Sequence, residues 1–212
     1  MLGVLGGNHM SPAKIAAWVE SADLVIAADS GLLRVLEAGY IPDVVIGDFD
    51  SVSPDMVHES TTMVLDHGQD NTDCAKLLDY VKDRGFSDIT LICAEGDLTD
   101  HFLDTIHCSV RTDLTVSIGL ERGHAHILKG PVQKTFPTGV GKRTSLLPLE
   151  TVTNASLEGV RWNFQGKTLS VRGFTSISNI SNEPNVSVTF DEGAAYLFVE
   201  CDEPHWLPIS SE

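Results

Sequence analysis

Basic residues are scarce in this chain. Its 212 residues hold 14 Lys and Arg against 30 Asp and Glu, a net charge of −16. Proteins that grip nucleic acid or anionic membrane by charge carry the opposite balance, so neither is an expected partner. Long hydrophobic runs are missing too. None approaches the roughly 18 apolar residues of a membrane span. The opening MLGVLGGNHMSPAK has no basic segment and no small-residue cleavage site, and reads as a first strand rather than a leader. The four cysteines (Cys74, Cys93, Cys108, Cys201) form no C-x-x-C pair. They read as buried free thiols of a cytoplasmic protein.

Several catalytic signatures are absent as well. No G-x-S-x-G elbow exists, which removes the support for a Ser–His–Asp hydrolase. Gly3, Gly6 and Gly7 do not make G-x-G-x-x-G. The stretch Gly139–Thr144 looks like the tail of a P-loop, but the position that needs its first glycine is Phe136. It reads as a turn. His124 and His126 would share one face of a strand, with no third zinc ligand nearby in sequence.

What is present divides in two. Residues 1–123 contain 21 acids and 7 bases, a net of −14; residues 124–212 contain 9 and 7, a net of −2. The hydrophobic period changes at the same place, which predicts domains over 1–122 and 123–212. In the first, apolar runs LGVL (2–5), LVIAA (24–28), VVIG (44–47) and ITLICA (89–94) alternate with helical patterns. Those helices run from Ser11-Pro12 to about Val19, from Leu32 to Gly39, from Thr72 to Arg84 and from about Asp100 to Val110. Continuous apolar strands between helices predict an α/β domain with a parallel sheet covered on both faces. In the second, HAHILKG, TSLLPL, ASLEGVRWNF, KTLSVRG, NVSVTFD and AAYLFVE predict six short strands of an all-β sandwich or barrel.

The densest chemistry is Gly47-Asp48-Phe49-Asp50-Ser51, directly after VVI. Residues two apart on extended backbone point the same way, roughly 6–7 Å apart. Asp48 and Asp50 would then face one point at the carboxyl end of a strand, where open α/β sheets bind ligands. Two hard carboxylates with room for water suit Mg²⁺ beside substrate phosphates. A solvated turn with Asp50 or Ser51 capping the next helix is the plain alternative. Asp29-Ser30-Gly31, Asp70-Asn71-Thr72-Asp73 and Asp100-His101 occupy comparable strand-to-helix junctions. Each alone could be a helix cap. Together they place carboxylates on one rim, where they repel unless a cation sits among them; a divalent metal with a polyphosphate accounts for all of them.

The string AADSG…GYIPDVVIGDFDS…QDNTDCAKLL resembles the thiamine pyrophosphokinase family in order and spacing. TSLLPL (144–149), GVRWNF (159–164), SISN (176–179) and the closing VSVTFDEGAAYLFV extend the resemblance over nearly the whole chain. It implies transfer of the terminal diphosphate of ATP to the hydroxyethyl oxygen of thiamine, leaving AMP, by Mg²⁺-dependent in-line attack on the β-phosphorus. It also implies roles. Asp48, Asp50 and Asp73 would hold Mg²⁺. Asp29 and Ser30 would lie beside the nucleotide, and Gln69, Thr72 and Lys76 near the phosphates. Asp100 would stand at the rim, orienting the attacking hydroxyl. Trp162 would pack on a thiamine ring, with Ser176, Ser178 and Asn179 bonded to the pyrimidine. The family is dimeric, so a homodimer is expected, each site drawing on the first domain of one subunit and the second domain of the other.

One stretch departs from the family. Where many bacterial members read G-G-R-x-D-H-x-x-x-N, this chain has Asp97, Leu98 and Thr105 at the second Gly, the Arg and the Asn. Leucine cannot replace a charged, planar phosphate donor. Lys76, Arg34 or a base from a partner subunit are the candidates to compensate. The departures at Asp97 and Leu98 keep open a catalytically weakened thiamine-binding sensor; altered ring contacts would permit a diphosphokinase for another hydroxymethyl heterocycle such as a pterin, though SISN and Trp162 argue for thiamine. From the residues alone, Trp162 reads equally as a core residue.

Overall fold

The computed structural model describes residues 1–49, 52–66, 68, 71–96 and 98–201. The chain forms two compact units, Met1–Glu121 and Arg122–Glu212.

The first unit runs β1 (Leu2–Val4), α1 (Pro12–Glu20), β2 (Val25–Ala28), α2 (Gly31–Glu37), β3 (Val44–Gly47), β4 (Thr62–Leu65), α3 (Asp73–Asp83), β5 (Asp88–Ile92), α4 (Thr99–Arg111) and β6 (Thr115–Leu120). Its strands lie in the order β6-β5-β1-β2-β3-β4, and every pairing is parallel. The chain builds outward from β1 to β4, then crosses back to add β5 and β6 on the other side. The switch point therefore lies between β1 and β5, where such sheets open a crevice at the strands' carboxyl ends.

The helices follow from the sequence. Pro12 at the first helical position fixes φ for α1, and Ile15, Trp18 and Val19 form its buried stripe at i, i+3, i+4. In α3 the buried stripe is Cys74, Leu77, Leu78 and Val81, and the Thr72 hydroxyl caps the start by accepting from the Ala75 N–H. Trp18 and Leu77 are fully buried against the sheet's side chains.

The second unit holds β7 (Gly123–Lys129), β8 (Val132–Pro137), β9 (Arg143–Pro148), β10 (Val152–Glu158), β11 (Phe164–Leu169), β12 (Ser176–Ile180), β13 (Asn185–Phe190) and β14 (Ala194–Val199). Two antiparallel sheets, β12-β9-β14-β7 and β11-β10-β13-β8, share one apolar core that includes Leu146, Leu157, Leu169, Val188 and Leu197. This is the expected α/β domain followed by an antiparallel β domain.

Four strands were not foreseen, and two expected ones change shape. β4 is an edge strand whose Met63 and Leu65 are exposed, so it lacks a buried run. β6 alternates polar and apolar residues. β8 has only Val132 and Phe136 pointing inward, and β12 buries serine and asparagine. ASLEGVRWNF is not one strand: it turns at Gly159, whose φ is +80°. The start of KTLSVRG completes β11 rather than forming a strand of its own.

Candidate active site

The carboxyl ends of β1, β2, β3 and β5, with the first turns of α3 and α4, enclose a cavity of about 700 Å³. The close approach of β1 and β5 at the switch point requires glycine. The Gly7 N–H donates to the Cys93 carbonyl at 2.7 Å, and a Cβ there would lie 2.2 Å from the Glu95 carbonyl oxygen. Gly47 at the end of β3 lets the Asp29 side chain pack beside it; a Cβ would meet Asp29 Cβ at 3.1 Å.

Asp29, Ser30, Asp48, Thr72, Asp73 and Lys76 all line this one cavity. Asp29 sits in a left-handed conformation (φ +40°) just after β2. It is 2% exposed, and its Oδ1 has no hydrogen-bond partner among the described residues. A buried acceptor left in that state is costly, and a ligand donor or cation relieves it. Lys76, 5% exposed, reaches up from α3. Its Nζ lies 3.9 Å from Asp48 Oδ2 and 3.9 Å from Asp73 Oδ1, and donates to the Asp66 carbonyl at 3.2 Å. A cation between two carboxylates lets both approach without mutual repulsion.

Asp48 and Asp73 thus meet through Lys76, although they arise 25 residues apart in the chain (73 − 48). Asp50, the third residue of the implied metal set, and Gln69 lie outside the described residues, as does Asp97. Phe49, which follows Asp48, is left-handed at φ +60°. The two described carboxylates offer hard oxygen donors, fit for Mg²⁺ with phosphate oxygens and water completing its shell.

Asp100 opens α4 outside the cavity lining, its Oδ1 accepting from the His101 N–H. His101, Asp104 and Thr105 of the same helix do line the cavity. Asp104 Oδ2 accepts from the Thr72 hydroxyl at 2.7 Å, which ties the start of α3 to α4. Arg111 adds an ion pair to Asp104 and donates to Cys108 Sγ. Cys108 is pulled down to about 7 by hydrogen bonding to the Cys74 thiol, with Thr72 and Arg111 acting the same way against burial. Cys74 is pushed up by the same shared bond and by burial. Burial raises Cys93, at the end of β5, to about 12. Leu98 is the N-cap of α4, 52% exposed and facing the cavity; Thr105 is buried, its hydroxyl donating to the His101 carbonyl.

The residues implied for thiamine lie in the second unit, where Trp162, Ser176 and Asn179 form one hydrogen-bonded group. Asn179 Oδ1 accepts from the Trp162 and Ile180 N–H groups, and its Nδ2 donates to the Trp162 carbonyl and to Ser176 Oγ. Asn179 therefore clamps the turn that carries Trp162. The indole is 58% exposed and is not a core residue. Ser178 is left-handed (φ +56°), its N–H donating to Ser145 Oγ and its hydroxyl accepting from Arg143 Nε at 3.1 Å.

Local motifs do not mark Gly7, Asp104 or the Cys74–Cys108 pair, none of which carries a local signature.

The chain matches two family models: thiamin pyrophosphokinase, catalytic domain, over residues 15–118, and thiamin pyrophosphokinase, vitamin B1 binding domain, over residues 132–195. Thiamine pyrophosphokinase 1 of Oryza sativa subsp. japonica is 24% identical, with 81% of this chain and 77% of that protein covered. Thiamine pyrophosphokinase of Bacillus subtilis is 22% identical, with 94% and 97% covered. Among solved structures, thiamine pyrophosphokinase from Bacillus subtilis superposes with a TM-score of 0.78 at 20% identity, covering 95% of this chain and 98% of that one. Thiamin pyrophosphokinase from Candida albicans gives 0.77 at 17%, covering 94% and 88%. With both domain models matched in order along most of its length, and with the same fold, the chain belongs to the thiamin pyrophosphokinase family of thiamine diphosphokinase enzymes.

Proposed function

We propose that this chain transfers the terminal diphosphate of ATP to the hydroxyethyl oxygen of thiamine, giving thiamine diphosphate and AMP, with Mg²⁺ as the metal. The observation that carries this is the cavity at the switch point, where Asp48 and Asp73 flank the buried Lys76. Asp48, Asp50 and Asp73 would hold the metal, whose charge offsets that of the phosphates when bound. Lys76 supplies a fixed positive charge beside that group, and Thr72 holds the start of α3 in place through Asp104. Asp29 Oδ1 is a ready acceptor for a nucleotide donor, with Ser30 beside it; Gln69 would lie near the phosphates. Asp100, which precedes the cavity-lining His101, would orient the incoming hydroxyl. Catalysis in such a site is chiefly positioning and charge neutralisation.

In the second domain the exposed indole of Trp162 offers an aromatic face to the cationic thiazolium. Asn179 and Ser176 hold that face in place, and Ser178 lies on the same strand. The enzyme would act in the cytoplasm as a homodimer. Among the described residues no helix is long and apolar enough to cross a membrane.

The test is AMP formation from ATP and Mg²⁺ with thiamine, with a hydroxymethylpterin, and with neither. AMP formed with thiamine supports the proposal. AMP formed only with the pterin transfers the site to another heterocycle, and tight thiamine binding without AMP makes the protein a sensor.

A further inference from the structure

The start of α3 is held from outside the helix. Thr72 precedes Asp73, and its carbonyl accepts from the Lys76 N–H at 2.9 Å. The position of Thr72 therefore sets the first turn, which carries the Asp73 carboxylate and the stem of Lys76. The Thr72 hydroxyl accepts from the Ala75 N–H at 3.4 Å and spends its own proton on Asp104 Oδ2 at 2.7 Å. That length is short, as for a hydroxyl bonded to a carboxylate. A hydroxyl has one proton to give, so here it fixes the chain rather than donating to a phosphate.

The anchor is on α4. Asp104 lines the same cavity as Thr72, Asp73 and Lys76. Its Oδ2 also accepts from Cys108 Sγ at 3.4 Å, and Arg111 Nη2 lies 3.7 Å from its Oδ1. Both partners come from later turns of α4, so the carboxylate is oriented by its own helix while it grips the next one. Ile106, Cys108 and Ser109 bury that helix in turn. A carboxylate facing a phosphate cavity works against an anionic ligand. The bond to Thr72 accounts for one being there. The body of α3 does not depend on this bond, because Cys74, Leu77, Leu78 and Val81 pack it down. Loss of Asp104 would loosen the first turn and leave the helix in place.

Resting on the diphosphate-transfer reading above, we propose that Asp104 is a positioning residue for the phosphate end of the site, acting through the Thr72 hydroxyl to hold Asp73 and Lys76 in register with Asp48. Lys76 Nζ lies 3.9 Å from both carboxylates, so a shift of the first turn of α3 alters both distances together. Asp104 itself touches neither substrate nor reacting atoms. Its contribution is geometric, and a displacement on the order of 1 Å at such a group costs up to about 100-fold in rate.

The experiment compares wild type with Asp104→Ala, Asp104→Asn, Thr72→Ala and the Thr72→Ala/Asp104→Ala double variant. It reads Mg²⁺-dependent binding of a non-hydrolysable ATP analogue by calorimetry, steady-state AMP release, and thermal unfolding. Asp104→Ala is expected to weaken the analogue about 10-fold and to lower kcat about 10- to 100-fold, with KM for thiamine within about twofold of wild type. Asparagine keeps an acceptor oxygen for the Thr72 hydroxyl without the charge. Asp104→Asn is therefore expected to recover binding and kcat to within about threefold of wild type. The double variant should match the more impaired single variant to within about twofold, because both substitutions remove one contact. Asp104→Ala with wild-type binding and kcat overturns the assignment, even if its unfolding temperature falls. So do equal losses in Asp104→Ala and Asp104→Asn, and so do effects of Thr72→Ala and Asp104→Ala that multiply. Should Asp104→Ala fail to fold, Thr72→Ala carries the same test from the other side of the bond. A wild type that forms no AMP from ATP with thiamine overturns the underlying reaction instead, and analogue binding still decides for or against Asp104.

Discussion

The two candidate sites of this chain, one in each unit, handle polar groups in opposite ways. In the first unit, Asp29 and Arg34 each keep a buried polar atom unmatched at a cavity wall, and Lys76 is buried among carboxylates. In the second, Asn179 has both ends of its amide bonded to the protein, and what the unit displays beside it is an apolar face, Trp162 and Ile177. The charge follows the same division, −14 before residue 124 and −2 after it. A unit with unmatched donors and acceptors at strand ends suits a highly charged ligand. A unit with a satisfied polar frame under an exposed aromatic suits a flat organic ring. At the cavity wall incomplete hydrogen bonding suits a charged ligand, while the complete hydrogen bonding of Asn179 holds the turn that carries Trp162.

The largest expected effect separates stability from the nucleotide site. Leu157, fully buried in the β core, should cost about 2–5 kcal/mol when replaced by alanine. Urea unfolding should show that loss while ATP affinity of the folded protein is unchanged; a parallel loss of ATP affinity would break the division. Next comes acid. Burial holds His126 down to about 3, with the charges of His124 and Lys134 adding to it, and its ring lies 4.9 Å from that of Phe136. Its folded pKa lies below the unfolded value, so the unfolded chain takes up the proton first. The stabilisation is complete above about pH 6.5 and declines as pH falls toward 3, by about 2 kcal/mol between pH 6.5 and 5. His126→Phe should flatten that slope, and an unaltered slope would contradict the assignment.

A smaller effect tests the aromatic face. Trp162→Ala should raise KM for thiamine by about 2- to 30-fold and leave KM for ATP unchanged; equal changes in both would remove the distinction between the units. The smallest concerns the Thr72 cap. Thr72→Ala removes the acceptor for the Ala75 N–H and the 2.7 Å bond to Asp104, and should lower stability by about 1 kcal/mol. Thermal unfolding indistinguishable from wild type would show that the tie between α3 and α4 is slack.

Much of this was legible in the sequence where a pattern is local. Apolar runs between helical stripes gave the parallel sheet, and aspartates at successive junctions marked Asp29, Asp48 and Asp73 as residues that meet in one cavity. What local pattern cannot show is a strand stabilised by something other than an apolar face. β12 hides because Ser176 and Asn179 satisfy each other inside, and β4 because it is an exposed edge. The same limit applies to Asp104, which acts through Thr72 on another element, and no spacing rule connects the two.

The most direct measurement is turnover of Asp48→Asn beside its folding. The substitution leaves Lys76 with Asp73 and the Asp66 carbonyl, so the fold and its unfolding transition should change little. AMP release from ATP and thiamine should fall by about 10²- to 10³-fold or more. An Asp48→Asn protein that folds normally and forms AMP at the wild-type rate would contradict the placing of diphosphate transfer at this cavity.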